Sequence, residues 1–176
     1  MTDATLRSRE DERAFHEACF EFAATQAQMA TCTRARCGAV IVLAGGEGII
    51  GQGFNAPPLG DEANRKCDGV YDLTSKPKSD KTCCIHAEWN AIIDGLSSNP
   101  ENLIGSTLYF MRVDENGKFT QAGEPYCTVC SRLALQAGIS FFALWNDGPQ
   151  IIPTDEYNDT SYAYHRKTSD SADEAK

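Results

Sequence analysis

The sequence predicts one layered α/β domain, and three observations lead to this prediction. At 176 residues the chain is long enough to bury a core without disulfide bonds. Apolar residues make up 41% and charged residues 23% of it, which is a globular composition. Segments with helical and strand periodicity then alternate in the order α-β-β-α-β-α-β-α, with no internal repeat.

The amino-terminal part predicts one helix followed by a β-hairpin. Ser8 and Asp11 resemble a helix cap with an acid in the first turn, and apolar residues keep helical spacing to about residue 30. The segments CGAVIVLAGG and GIIGQGFN are rich in β-branched residues and meet at a glycine-rich turn, so they predict two antiparallel strands. Residues 56–82 lack periodicity, and a loop of this length is usually functional, so we expect it to border the site.

The next segments predict a second helix, a strand and a third helix. IHAEWNAIIDGL carries one apolar stripe, so a helix begins at or just before His86. GSTLYFMRV predicts a strand, and residues 114–124 contain a tight turn. Residues 127–137 then have helical character, and Gly138 ends the helix.

The last segments predict a strand and a helix. ISFFALWN predicts the strand, and a Pro-bearing link leads to a weakly helical segment over residues 155–167. Residues 1–7 and the acidic residues 168–176 are expected to be disordered ends. The predicted domain is therefore residues 8–167.

Composition and charge argue against two classes of partner. No apolar run approaches the ~20 residues that span a bilayer, and the charged start MTDATLRSREDER lacks the apolar segment of a secretory signal. We therefore expect a cytoplasmic protein without membrane partners. The formal net charge of −9 disfavours stable binding to a nucleic-acid backbone, which needs many Lys and Arg side chains. A single nucleotide needs only a local cation.

Eight cysteines are expected to be reduced in the cytoplasm, so they predict buried apolar residues, metal ligands or reactive thiols before disulfides. Cys127 and Cys130 form a CxxC at the start of a predicted helix. By itself this pattern fits a redox pair, half of a structural zinc site, or two of three ligands of a catalytic zinc site.

His86 distinguishes among these possibilities because it heads another predicted helix. Two helix amino ends that converge would supply an imidazole and two thiolates, and zinc with these three ligands keeps a fourth position for water. Glu88, two residues further, could reach over the metal without binding it and transfer protons. Zinc deaminases of nucleobases carry this arrangement as H-x-E with P-C-x-x-C. The sequence departs from that pattern only by Tyr126, which stands between the proline and Cys127.

These motifs resemble the cytidine deaminase-like superfamily, and within it the deoxycytidylate (dCMP) deaminase family, over roughly residues 12–146. CTRARCGAVIV is similar to the family's Arg-x-x-Val-Gly-Ala-Val-Ile-Val with Cys37 in place of valine, and GFNAPPLG is similar to its Gly-Tyr-Asn-Gly-x-Pro-x-Gly. HAEWNAI matches its His-Ala-Glu-x-Asn-Ala-Ile, with Asn90 typical of this branch. The segment 114–124 and the carboxyl-terminal region are departures.

The resemblance implies a three-layer α/β/α fold in which helices flank a mixed central sheet of about five strands. It also implies a zinc-dependent hydrolase that converts dCMP to dUMP with release of ammonia, and that forms a homo-oligomer. Asn55 would hydrogen-bond the sugar, and the backbone around Ala87 would contact the base.

Several alternatives stay open at this point. The substrate could be cytidine, guanine or tRNA adenosine, or the chain could be a zinc-binding or thiol-redox interaction module. Arg34 is a candidate phosphate partner, and Trp145 either stacks on a base or belongs to the core. Asn55 could simply close a turn. A second, structural zinc ion is possible, and the remaining cysteines that could bind it are Cys32, Cys67, Cys83 and Cys84.

Overall fold

The computed structural model describes residues 8–32, 35–66 and 84–173, with side chains described except at residues 165–173. In chain order its helices and strands are α1 (Arg9–Gln28), β1 (Arg36–Val42), β2 (Ile49–Phe54), α2 (Ala87–Ser98), β3 (Thr107–Val113), β4 (Phe119–Thr120), α3 (Thr128–Gln136), β5 (Phe141–Trp145), β6 (Pro149–Pro153) and α4 (Thr154–Asp173).

One mixed sheet forms the centre of the domain. Its strand order is β2-β1-β3-β5-β6, and β4 pairs with the end of β3. The pairing of β3 with β5 is parallel and the other pairings are antiparallel. The predicted class, a mixed sheet of about five strands flanked by helices, is therefore confirmed.

Alternation along the strands divides the core between the two faces of the sheet. On β1, Val40 and Val42 pack with α1, whereas Ala39 and Ile41 pack with the cluster that includes α2 and α3. Tyr157 of α4 belongs to the cluster that includes α2 and α3, and it stacks on Phe142, with ring centroids 4.2 Å apart. One helix thus covers one face, and three helices cover the other.

Helix α1 begins as its sequence predicts. The Asp11 backbone N–H donates to Ser8 Oγ over 3.1 Å, and the Ser8 backbone N–H donates to Asp11 Oδ2 over 3.3 Å. These two bonds form a capping box, which satisfies donors that the first helical turn leaves without a partner.

Three segments differ from the sequence predictions. The Pro-bearing link contains strand β6, which pairs with β5 at the edge of the sheet, where a proline removes no hydrogen bond on the open side. The segment 114–124 contains the short strand β4 in addition to its turn. Helix α4 extends to Asp173, so the backbone of residues 168–173 is helical where disorder was expected.

Helix α2 packs very closely against β2, at positions where the strand carries glycine. A Cβ atom built on Gly53 would lie 2.5 Å from Ala91 N, and one built on Gly51 would lie 2.4 Å from Ala91 O. The Asn90 side chain also donates to the Phe54 carbonyl oxygen over 2.7 Å. The amino end of α2 is therefore fixed beside the end of β2.

The substitution Gly53→Ala tests this packing. The new methyl group would collide with the backbone of α2, so we expect the free energy of unfolding to fall by about 1–3 kcal/mol. Urea denaturation followed by circular dichroism measures this change. The control is Gln52→Ala on the same strand, where the side chain is exposed and makes one hydrogen bond, to Gln26. Equal stability of Gly53→Ala and the wild type would contradict the packing argument.

Candidate active site

One imidazole and two thiols lie together where the amino ends of α2 and α3 meet. His86 Nδ1 lies 3.1 Å from Cys130 Sγ and 3.6 Å from Cys127 Sγ, and the two sulfurs are 2.9 Å apart. All three ligand atoms lie within 4.8 Å of one another. Within residues 8–32, 35–66 and 84–164 this is the only group of three or more His, Cys, Asp or Glu side chains with such spacing. The structure thus brings the three predicted ligands together.

These separations are close to those of a zinc site. With Zn–S bonds of about 2.3 Å and Zn–N bonds of about 2.0 Å, a tetrahedral site places a nitrogen and a sulfur ligand roughly 3.5 Å apart and two sulfur ligands roughly 3.8 Å apart. The two N–S separations, 3.1 and 3.6 Å, lie within about 0.4 Å of that geometry. The sulfurs, 2.9 Å apart, would have to separate by about 0.9 Å through rotation of the two cysteine side chains. Two thiolates and one imidazole are also ligands that zinc prefers, and three protein ligands leave one position open. The group could therefore hold one metal ion.

Neither helix uses its first side chain as a cap. His86 and Cys127 occupy the N-cap positions of α2 and α3, yet neither side chain makes a capping hydrogen bond. Both side chains point to the shared group instead. His86 and Cys127 therefore do not act as side-chain caps, and the helix dipoles favour negative charge at the point where the three side chains meet.

Hydrogen bonds within the group shift the pKa values of all three side chains. A hydrogen bond with Cys130, and a second one with His86, lower the pKa of Cys127 to about 4. The hydrogen bond with Cys127 raises the pKa of His86 to about 9, although burial opposes this shift. The hydrogen bond between Cys130 and Cys127, together with burial, raises the pKa of Cys130 well above its usual value. Cys127 is thus a thiolate stabilised by two neighbouring donors.

Glu88 is a buried acid beside this group. The residue is only 6% exposed, although it lies in the first turn of α2. Burial raises the pKa of Glu88, and the nearby His86 charge opposes the rise. The Cys130 thiol also hydrogen-bonds the carboxyl group. A buried carboxyl with increased proton affinity, next to an open metal position, is suited to proton transfer.

Asn55 connects the end of β2 to the start of β1. Its Oδ1 accepts from the Cys37 backbone N–H over 2.8 Å, and its Nδ2 donates to the Ala35 carbonyl over 2.9 Å. These bonds leave one amide N–H and one oxygen lone pair for a ligand. Ala87 is the first residue of α2 and is fully buried, and its N–H has no partner within the helix.

Of the two further candidates, Trp145 lies away from the site. The Trp145 ring packs edge to face against Phe20 and Phe119, with centroids 5.4 and 5.3 Å apart, in the cluster on the α1 face. That face is opposite the metal-ligand group, so the structure favours the interpretation of Trp145 as a core residue. Arg34 lies outside the described residues.

The structure adds two residues that the sequence analysis did not assign to the site, Cys37 and Arg112. Burial and the Glu88 charge raise the pKa of Cys37 to about 11, and Arg112 opposes this rise by its charge and a hydrogen bond. Cys37 therefore lies near Glu88, and Arg112 lies beside Cys37. A signal was available in TLYFMRV, because strict alternation places Arg112 on the same face as Leu108 and Phe110.

A second metal site is not formed by the cysteines that the structure describes. Cys32 and Cys84 have intermediate exposure and belong to no ligand group within the described residues. Cys67 and Cys83 lie outside the described part of the chain. In the same described part, no helix combines the length and apolar character needed to cross a bilayer.

Comparison with known proteins places the chain in a family. The family model described as "Cytidine and deoxycytidylate deaminase zinc-binding region" matches residues 10–144. The deoxycytidylate deaminase of Mycobacterium phage D29 is 34% identical over 123 residues, which are 66% of this chain and 83% of that protein.

Two solved structures share the fold. The apo dCMP deaminase of cyanophage S-TIM5 is 24% identical, with a TM-score of 0.50 over 77% of this chain and 82% of that chain. Cytidine deaminase from Burkholderia pseudomallei is 14% identical, with a TM-score of 0.53 over 81% of this chain and 94% of that chain. The sequence match, the shared fold and the His-Cys-Cys group with its buried acid lead to one conclusion: the chain belongs to the cytidine and deoxycytidylate deaminase family of zinc-binding enzymes.

Proposed function

We propose that the chain deaminates dCMP hydrolytically to dUMP with release of ammonia, and that one zinc ion bound by His86, Cys127 and Cys130 assists it. The observation that carries this proposal is the buried carboxyl of Glu88 beside three ligand atoms that lie within 4.8 Å of one another. The substrate follows from the similarity to the phage D29 deoxycytidylate deaminase.

Each residue has a role that its position supports. When bound, zinc would supply Lewis-acid activation of the water that attacks C4 of cytosine. Glu88 would take a proton from that water and deliver it to the ring nitrogen N3, and would then take the proton of the hydroxyl group formed at C4 and deliver it to the amine, which leaves as ammonia. The Ala87 N–H, which has no partner in α2, donates to a base oxygen, and Asn55 uses its remaining amide groups to hold the sugar.

The proposed domain is a single deaminase unit over residues 8–167, with an acidic tail at 168–176. Assembly into a homo-oligomer also stays a prediction. Ile93 and Leu96 support it, because these two side chains of α2 are 52% and 46% exposed and could be covered by a second copy. The net charge of −9 supports a free nucleotide rather than a nucleic acid as substrate.

The substitution Glu88→Gln tests the mechanism. The amide keeps the shape of the side chain but cannot carry a proton, so we expect zinc content to stay at wild-type level while turnover of dCMP falls by about 10²–10⁴-fold. Metal analysis and the release of ammonia and dUMP measure the two quantities. The matched control is Glu101→Gln, an exposed acid just beyond the carboxyl end of α2, at the other end of that helix from the site, which should retain full activity. Wild-type turnover by Glu88→Gln would contradict the proposed role.

The binding of zinc should release a fixed number of protons from its ligand side chains. At pH 7 His86, with a pKa of about 9, is protonated, Cys127, with a pKa of about 4, is ionised, and Cys130 is a thiol. Zinc requires a neutral imidazole and two thiolates, so binding should displace about two protons. The apparent affinity should then rise by about 100-fold per pH unit near pH 7.

Isothermal titration of the metal-free protein with zinc, in two buffers of different ionisation enthalpy, counts these protons. The variant Cys130→Ser, whose hydroxyl is not expected to ionise on binding, should release about one proton fewer and bind zinc more weakly. Release of no protons by the wild type would show that His86 or Cys130 does not bind the metal in the proposed form.

A further inference from the structure

Arg112 is a charged residue on the inner face of β3. Leu108 and Phe110 of this strand pack into the cluster formed with α2 and α3, and Arg112 follows Phe110 by two residues, so it lies on the same face. It stands near the carboxyl end of β3. This is also the end of the sheet where the amino ends of α2 and α3 hold the metal-ligand group.

The strand register connects Arg112 to two other residues of the site. Arg112 lies directly opposite Cys37 of β1. Asn55, which follows β2, lies on the other side of Cys37, since its backbone N–H donates to the Cys37 carbonyl over 3.1 Å and its side chain accepts from the Cys37 N–H. Asn55, Cys37 and Arg112 thus form one row across three strands. At about 4.8 Å per strand, the ends of the row are about 10 Å apart.

The guanidinium of Arg112 contains a donor that needs an acceptor. Its Nε is buried and has no hydrogen-bond partner in the part of the chain that the structure describes. The ion pairs among the described residues are Arg13 with Glu17 and Arg65 with Glu62, so they do not involve Arg112. The Arg112 charge also opposes the rise in the pKa of Tyr126, which the Glu88 charge increases. A buried donor without an acceptor is unfavourable, so a ligand that brings an acceptor is a natural partner.

Other described arginines are directed elsewhere. Arg36 lies one position before Cys37, and alternation puts it on the opposite face of the sheet. Arg132 Nε donates to the Thr128 carbonyl on the exposed side of α3. Because the chain has a net charge of −9, an anionic ligand needs a local cation, and Arg112 supplies one beside the site.

We propose that Arg112 binds the 5′-phosphate of the nucleotide substrate and makes the enzyme prefer a nucleotide to a nucleoside. This inference rests on the proposed function. The planar guanidinium matches two phosphate oxygens, and such charge-assisted bonds are stronger than neutral ones. In this arrangement Asn55 holds the sugar and Arg112 holds the phosphate, at opposite ends of the same row of residues.

The experiment compares dCMP with deoxycytidine for the wild type, Arg112→Gln, Arg112→Lys and the control Arg36→Gln. Arg112→Gln should lower kcat/KM for dCMP by about 10–100-fold, chiefly through KM, and change that for deoxycytidine by less than about twofold. Arg112→Lys should give a kcat/KM for dCMP between those of the wild type and Arg112→Gln, because lysine keeps the positive charge but lacks the planar N–H donors of the guanidinium. Arg36→Gln removes the same charge from the other face and should leave both substrates unchanged.

An equal loss on both substrates would overturn the inference, because it would show that Arg112 supports the fold or the chemical step. Loss on neither substrate would also overturn it. If the zinc-loaded wild type deaminates neither compound, the proposed function fails, and binding then tests Arg112 separately. In calorimetry the wild type should bind dUMP more tightly than deoxyuridine, and Arg112→Gln should lose that preference. The same preference for dUMP over deoxyuridine in the wild type and in Arg112→Gln would contradict the role of Arg112, and so would the absence of binding by either protein.

Discussion

The close contact between α2 and β2 determines where the chemistry can take place. Strand β2 carries no side chain at Gly51 and Gly53, so the helix backbone approaches within distances that a methyl group would prevent. Asn90 then connects the first turn of α2 to the end of β2. His86 and Glu88 belong to the same rigid turn. Their positions over the end of the sheet therefore follow from backbone packing rather than from flexible side chains.

The site also concentrates groups that compete for protons. A carboxyl, two thiols and an imidazole share a small volume from which most water is excluded, and each changes the proton affinity of the others. Hydrogen bonds with Cys130 and His86 stabilise the Cys127 thiolate at this point, where the amino ends of two helices also favour negative charge. A bound dication would replace the shared protons and leave Glu88 as the group that can still carry one.

Much of the site could be predicted from the sequence, because spacing and helix starts identify His86, Cys127 and Cys130 as neighbours in space. Helix α1 was also predictable, since its capping box is a local signal. Other features depend on the tertiary structure. Strand β6 contains prolines at both ends and is recognisable only when β5 is seen to offer it an open edge. The face of the sheet on which Trp145 lies depends on which residues of β5 point to each side. Arg112 can be assigned to the site only when the strand pairing shows Cys37 opposite it.

The division of the core between two faces separates stability from chemistry. The side that α1 covers is built from Phe20, Tyr109, Trp145 and small aliphatic residues, and it contains none of the metal-ligand group. Its residues can therefore be exchanged for others of similar volume with consequences mainly for folding. The opposite side contains the metal-ligand group as well as core residues, so its positions are constrained by packing and by chemistry together.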